Sequence, residues 1–251
     1  MRRNLLTIII LIALFSACNN PKTESTAQDS SSVRVIGDKE RWNPMLEVED
    51  STILLSGTYR FTPKEHLKSL LTSRNWKEIY KQDDHYMVGT AQYTLSTVEE
   101  DPCSGLPAQE IVSHRNALLM FSIANVTEGK LDTVAFSESI IYPGKPWTFT
   151  FNGSAYTLEA EGITFYSEDG RNPEGHYTLK LFAAAYTEGI TLIHQSQYDD
   201  TCTEIVMIAD LDRDGFPDFI LSSPQHYEIE RYLIILSSEN KMYEGRRNFD
   251  C

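Results

Sequence analysis

The sequence predicts a mainly β domain, an antiparallel sheet sandwich or barrel-like architecture carrying one short amphipathic helix. Three observations predict it: period-two alternation around a two-residue turn, short apolar runs separated by turn-forming residues, and a single segment with helical spacing. The clearest hairpin is Trp147–Phe151, where apolar residues alternate with Thr, followed by Asn152-Gly153 and residues 154–159. Asn-Gly is the preferred two-residue hairpin turn because both positions must tolerate positive φ. Further strand-like runs lie at 53–55, 118–123, 133–136, 177–182, 190–193, 205–208 and 232–236. Turn clusters at 169–173 and 187–189 punctuate them. The helix is expected to start at Thr62 as cap, with Pro63 in its first turn and Glu65 completing a capping box. Leu67, Leu70 and Leu71 then share one face before Asn75. No repeat of 20 to 50 residues is visible.

The chain has 251 residues, and its 22 Lys+Arg against 36 Asp+Glu give a formal net charge of -14. Nucleic acid and anionic lipid surfaces are disfavoured as partners, because binding them needs clustered cations. A hydrophobic content of 41% is enough for a packed core. The N-terminus reads as an export signal over residues 1–17: a basic start at Arg2-Arg3, an apolar run from Leu5 to Phe15, then small residues before Cys18. Eleven helical residues span about 16 Å, roughly half a bilayer core, which is too short for a membrane-spanning helix. The tetrad Phe15-Ser16-Ala17-Cys18 resembles the lipobox of bacterial lipoprotein precursors. That resemblance implies an acylated (palmitate-bearing) Cys18 as first mature residue, and location in the bacterial cell envelope, lipid-anchored outside the cytoplasm and expected at the outer membrane. Residues 18–32 are polar and small, and read as the anchor followed by a flexible tether. About fourteen flexible residues reach roughly 20 Å. Residues 33–251 are then expected to form one β-rich domain.

The strongest chemical motif is the stretch from Asp210 to Asp218. Asp210, Asp212, Asp214 and Asp218 recur at positions 1, 3, 5 and 9, with Gly215 at position 6, where a calcium loop turns sharply. Four carboxylates this close repel one another by about 1 kcal/mol per pair even in water, so the pattern calls for a cation. The backbone carbonyl of Phe216, at position 7, is a further candidate ligand for Ca²⁺. An EF-hand does not fit: Leu221 stands where the bidentate Glu belongs, Pro217 interrupts the loop, and the flanks read as strands. The strand-loop-strand pattern resembles the FG-GAP or VCBS-type repeat. That resemblance implies Asp210, Asp212, Asp214, the Phe216 carbonyl and Asp218 as ligands of a structural calcium ion. Propellers and adhesive arrays use several such loops, and this chain carries one.

Beyond Cys18, three cysteines remain, Cys103, Cys202 and Cys251, which allow one bridge in any of three pairings. No Gly-x-Ser-x-Gly elbow, His-Glu-x-x-His helix or phosphate-binding glycine loop occurs. Ser238-Glu239-Asn240-Lys241 matches Ser-x-x-Lys without its partner motifs. His85, His176 and His226 each precede a Tyr and could converge on a site. The acidic pairs at 83–84, 99–101 and 199–200 read as solvated edges, since neighbouring residues in a strand face opposite ways. Two functions follow as expectations. The first is a non-enzymatic binding or scaffold module, anchored at Cys18 and clamped by calcium, whose partner is an envelope protein or glycan. The alternative is an envelope hydrolase with a site assembled from the dispersed histidines and carboxylates. An exposed aromatic patch at Trp42 or Trp76 would favour the first.

Overall fold

The structure is a computed structural model that describes residues 48–60, 64–167, 170–239 and 241–248. Residues 1–32, with the expected signal, anchor and tether, lie outside the described residues, as do Trp42, Thr62, Pro63 and Cys251. In chain order the elements are β1 (Val48–Asp50), β2 (Ile53–Leu54), β3 (Gly57–Tyr59), α1 (Lys64–Ser73), β4 (Lys77–Gln82), β5 (His85–Thr90), β6 (Tyr93–Val98), β7 (Ala108–Ser113), β8 (Leu119–Phe121) and β9 (Gly129–Lys130). They continue as β10 (Trp147–Phe151), β11 (Ser154–Ser167), β12 (Gly170–Ala183), β13 (Tyr186–Gln197), β14 (Glu204–Ala209), β15 (Asp218–Ser222), β16 (Ile229–Ile235) and β17 (Met242–Asn248).

The chain is mainly β, as the sequence predicts, and its strands form open sheets rather than a closed barrel among the described residues. The central sheet has the order β1-β17-β16-β15-β14, antiparallel except where β1 joins β17 in parallel. Strands β14, β15 and the second half of β16 carry near-continuous apolar runs because both faces are covered. Alternation sends Phe219, Leu221, Leu233 and Ile235 to one face, where they pack with Leu158, Tyr177, Leu179 and Leu192 of the sheet β10-β11-β12-β13. Ile220, Ile234 and Leu236 point the other way, onto Ile79, Val88, Leu119 and Phe121 of the sheet β2-β8-β4-β5-β9. The far side of that third sheet is covered by α1 and the small sheet β3-β7-β6, through Leu54, Leu67, Leu71, Trp76, Ile111 and Met120. The sandwich is therefore repeated in layers.

The hairpin at Asn152-Gly153 forms as expected, with φ of 46° and 78° at its two turn residues. The helix occupies Lys64–Ser73 and buries Leu67 and Leu71. Two expectations are corrected. Residues 133–136 make one bridge, Thr133 to Ala209, rather than a strand. This segment runs irregularly along the β14 edge, with the Val134 amide donating to the Ile208 carbonyl at 2.9 Å while Val134 and Phe136 pack on the core. The turn expected at 169–173 is shorter, since β11 and β12 pair down to Ser167 and Gly170. Pro173 is tolerated in β12 because β13 pairs only from Gly175 onward, so its missing N–H leaves no ladder bond unmade on that side. The structure adds a hairpin that no sequence signal marks, β4-β5, whose two-residue turn is Asp83-Asp84 with Asp83 at φ 52°.

At Gly245 in β17, an added Cβ would lie 2.5 Å from the Ile53 carbonyl oxygen and 2.6 Å from its Cβ. Both neighbours belong to buried sheet, so neither can yield cheaply. Gly245→Ala is expected to lower unfolding stability by about 2 kcal/mol in urea titration. An unchanged midpoint would contradict this close packing.

Candidate metal centre

The Asp loop joins β14 to β15 at the end of the central sheet, so the strand-loop-strand context expected from the sequence is present. Positive φ at Arg213 (65°) and Gly215 (86°) folds the chain back tightly enough to pair Ala209 with Asp218. Two side chains shape the loop from within: Asp212 Oδ1 accepts the Asp214 N–H at 3.2 Å, and Asp214 Oδ1 accepts the Phe216 N–H at 2.9 Å. Asp210 Oδ2 accepts the Gly215 N–H at 3.0 Å, closing the ring.

This arrangement brings one oxygen each of Asp210, Asp212 and Asp218 within 4.8 Å of one another. Asp214, the fourth carboxylate, accepts the Ser237 hydroxyl at 2.8 Å on its other oxygen. Asp218 is fully buried, and each of its oxygens accepts a main-chain N–H at 2.7 Å, from Leu211 and from Ser237. The Oδ1 of Asp210 is buried without a hydrogen-bond donor. A buried anionic oxygen without a donor is costly, and a cation supplies what is missing. The donor set is all oxygen and carboxylate-rich, which suits a hard ion such as Ca²⁺ and not a thiolate-seeking metal. These residues fit the expected ion.

The electrostatics point the same way. Burial pushes the Asp212 carboxyl up to about 6, the carboxylates of Asp214 and Asp210 adding to the shift against the Ser238 hydroxyl that opposes it. Burial also raises Asp210, with Asp214 contributing. Asp218 is held well above the usual carboxylate range by complete burial and by neighbouring Asp212. Such shifts measure how strongly the pocket resists carrying its negative charges uncompensated.

Several segments distant in sequence hold the loop. The Asn152 amide, in the β10-β11 turn, donates to the Gly215 carbonyl at 2.8 Å. Arg213 donates to the Lys130 carbonyl at 2.7 Å, and the Thr127 amide to Leu211 at 3.1 Å. Ser238 donates its hydroxyl to Asp212 Oδ2. The loop therefore ties the central sheet to both sheets packed on it. Ser237, Ser238 and Asn152 were not found by sequence reasoning, because their spacing from the Asp motif carries no signal. In the sequence Ser238 stands out only within a Ser-x-x-Lys match.

The other candidates do not converge. His85 faces Lys130 across 3.3 Å, His226 Nε2 lies 3.1 Å from Asp199, and His176 is exposed on β12. No histidine joins a metal-ligating group among the described residues. Cys103 is disulfide-bonded to a residue outside the described ones, while Cys202 is free, which removes the pairings that use Cys202. Burial and neighbouring Glu204 push the Cys202 thiol up to about 11, the wrong direction for a nucleophile. Asp101, read as a solvated edge, is buried. Burial would raise its carboxyl, but Arg60 at 2.7 Å and the Ser104 amide and hydroxyl hold it at about 2. Trp76 is only 5% exposed, so it forms no exposed aromatic patch. No helix among the described residues is long and apolar enough to cross a membrane. No family model, no curated protein and no solved structure matches this chain.

Proposed function

We propose that this protein is a lipid-anchored bacterial envelope lipoprotein whose β domain is clamped by a structural calcium ion and serves as a non-enzymatic binding module. The observation that carries the reading is the convergence of Asp210, Asp212 and Asp218, together with a buried Asp210 oxygen that has no donor. Asp210, Asp212, Asp214, Asp218 and the Phe216 carbonyl are the proposed ligands. Calcium there would fix the turn that holds three sheets together, a mechanical role that fits an exported domain in a calcium-containing medium. The separate placement of the histidines leaves the hydrolase alternative without a named catalytic group.

Anchoring is tested by labelling cells with radioactive palmitate. The protein is expected to carry label and to sediment with membranes, and Cys18→Ser is expected to lose both. Unlabelled, freely soluble wild-type protein would overturn the anchor. Binding of one calcium ion per chain in equilibrium dialysis, lost in Asp210→Asn, tests the clamp separately.

A further inference from the structure

We propose that the groove between the C-terminal end of α1, the start of β4 and the β5-β6 turn is a binding site for an acidic saccharide. It encloses about 450 Å³ and opens to solvent. Arg74 and Lys77 stand at its wall. Each is fixed by a backbone carbonyl, Arg74 by Ser51 at 2.9 Å and Lys77 by Val126. Neither forms an ion pair among the described residues, although Arg60, Arg115, Lys180, Arg231, Arg246 and Arg247 all do. Two cations without an ion-pair partner against one carboxylate, Glu128, leave this groove with a net positive lining in a protein of net charge -14. The guanidinium keeps most of its N–H donors available after one bond to Ser51, and these match a carboxylate.

The rest of the groove is not that of a bare anion site. Half-exposed Tyr93 and buried Trp76 line the groove and supply an aromatic surface of the kind that takes the C–H face of a sugar ring. Glu128, also in the lining, accepts the Thr90 hydroxyl at 2.9 Å and can accept hydroxyls of a ligand on its remaining lone pairs. A cation pair, an aromatic face and a carboxylate acceptor together describe a ligand with a carboxylate, a ring and hydroxyls. This inference rests on the binding-module reading and gives it a ligand class, but it does not depend on the calcium loop.

The test is calorimetric titration of the full chain in detergent with tetragalacturonate, with neutral maltotetraose and with acetate. Tetragalacturonate is expected to bind at least tenfold more tightly than either control. Arg74→Gln, an exposed change that leaves the core untouched, is expected to weaken it about tenfold. Glu128→Gln, whose side-chain carbonyl still accepts a hydroxyl, is expected to tighten it about threefold by removing a like charge, a gain that misfolding cannot produce. Equal binding of the neutral sugar, binding no tighter than acetate, no binding at millimolar ligand, or indifference to both substitutions would each overturn the proposal. Retained saccharide binding in Asp212→Ala would separate this site from the calcium clamp, whose failure is read from thermal unfolding.

Discussion

Asp218→Ala is expected to destabilise the protein by about 3–5 kcal/mol in the presence of calcium. The side chain is wholly buried and accepts the main-chain N–H groups of Leu211 and Ser237 at 2.7 Å each. Removing it leaves two buried donors unpaired, at about 1–3 kcal/mol apiece, and deletes a proposed cation ligand. Asp218→Asn separates these contributions. Its carbonyl oxygen still accepts one N–H, while its amide faces the other donor and it brings no negative charge to the ion. In chelator the wild type carries its own burden, a buried carboxyl that resists ionisation, so Asn is expected to cost less there than in calcium. Urea unfolding of both variants under both conditions measures this, and an Asn penalty independent of calcium would contradict the assigned role.

Glu244→Ala should cost a comparable amount for a different reason. Arg231 and Glu244 form a pair 2.7 Å apart whose side chains are only 8% and 6% exposed, in adjacent central strands. Burial alone would raise the Glu244 carboxyl, but Arg231 and then Arg246 hold it below the usual range. Deleting the carboxylate strands the Arg231 charge inside the sheet, a loss of about 3–5 kcal/mol. A lowered carboxylate pKa means that this contribution is present above the unfolded value near 4.5 and is lost as the pH falls through the lower folded value. The double change Arg231→Met with Glu244→Leu is expected to recover most of the loss, and a double variant as unstable as Glu244→Ala would count against it.

What the sequence made legible follows from how local each feature is. The hairpin at Asn152-Gly153 depends on two residues with positive φ, and the runs at 219–221 and 233–236 alternate between two buried faces, so short windows reveal both. The Asp loop was readable because its carboxylates fall within nine residues. The hairpin β4-β5 was hidden because its turn is Asp83-Asp84, without the glycine that marks such turns. Asp101 looks like part of an exposed acidic run, and its burial is tolerable because Arg60, 41 positions away in sequence, pairs with it alongside the local Ser104 amide and hydroxyl. The same distance effect hid Ser237, Ser238 and Asn152, whose contribution to the loop exists only after the sheets have stacked.

The most direct test of the calcium clamp is thermal unfolding of the wild type and Asp212→Ala, in saturating calcium and in chelator. At a hundredfold excess over the dissociation constant a native-state site adds about 2.7 kcal/mol, which for a domain of this size raises the melting temperature by about 5–10 °C. The pH dependence has opposite signs in the two conditions. Without calcium, folded Asp212 at about 6 binds its proton more tightly than the unfolded group near 3.8, so its destabilising effect grows as the pH rises through that window. With calcium, protons compete for the same carboxylates, so the calcium-induced shift shrinks as the pH falls through about 6. The expected result is a clear upward shift in the wild type at pH 7.5, smaller at pH 5, and absent in Asp212→Ala. Identical melting of the wild type in calcium and in chelator, or the same shift in Asp212→Ala, would contradict the account.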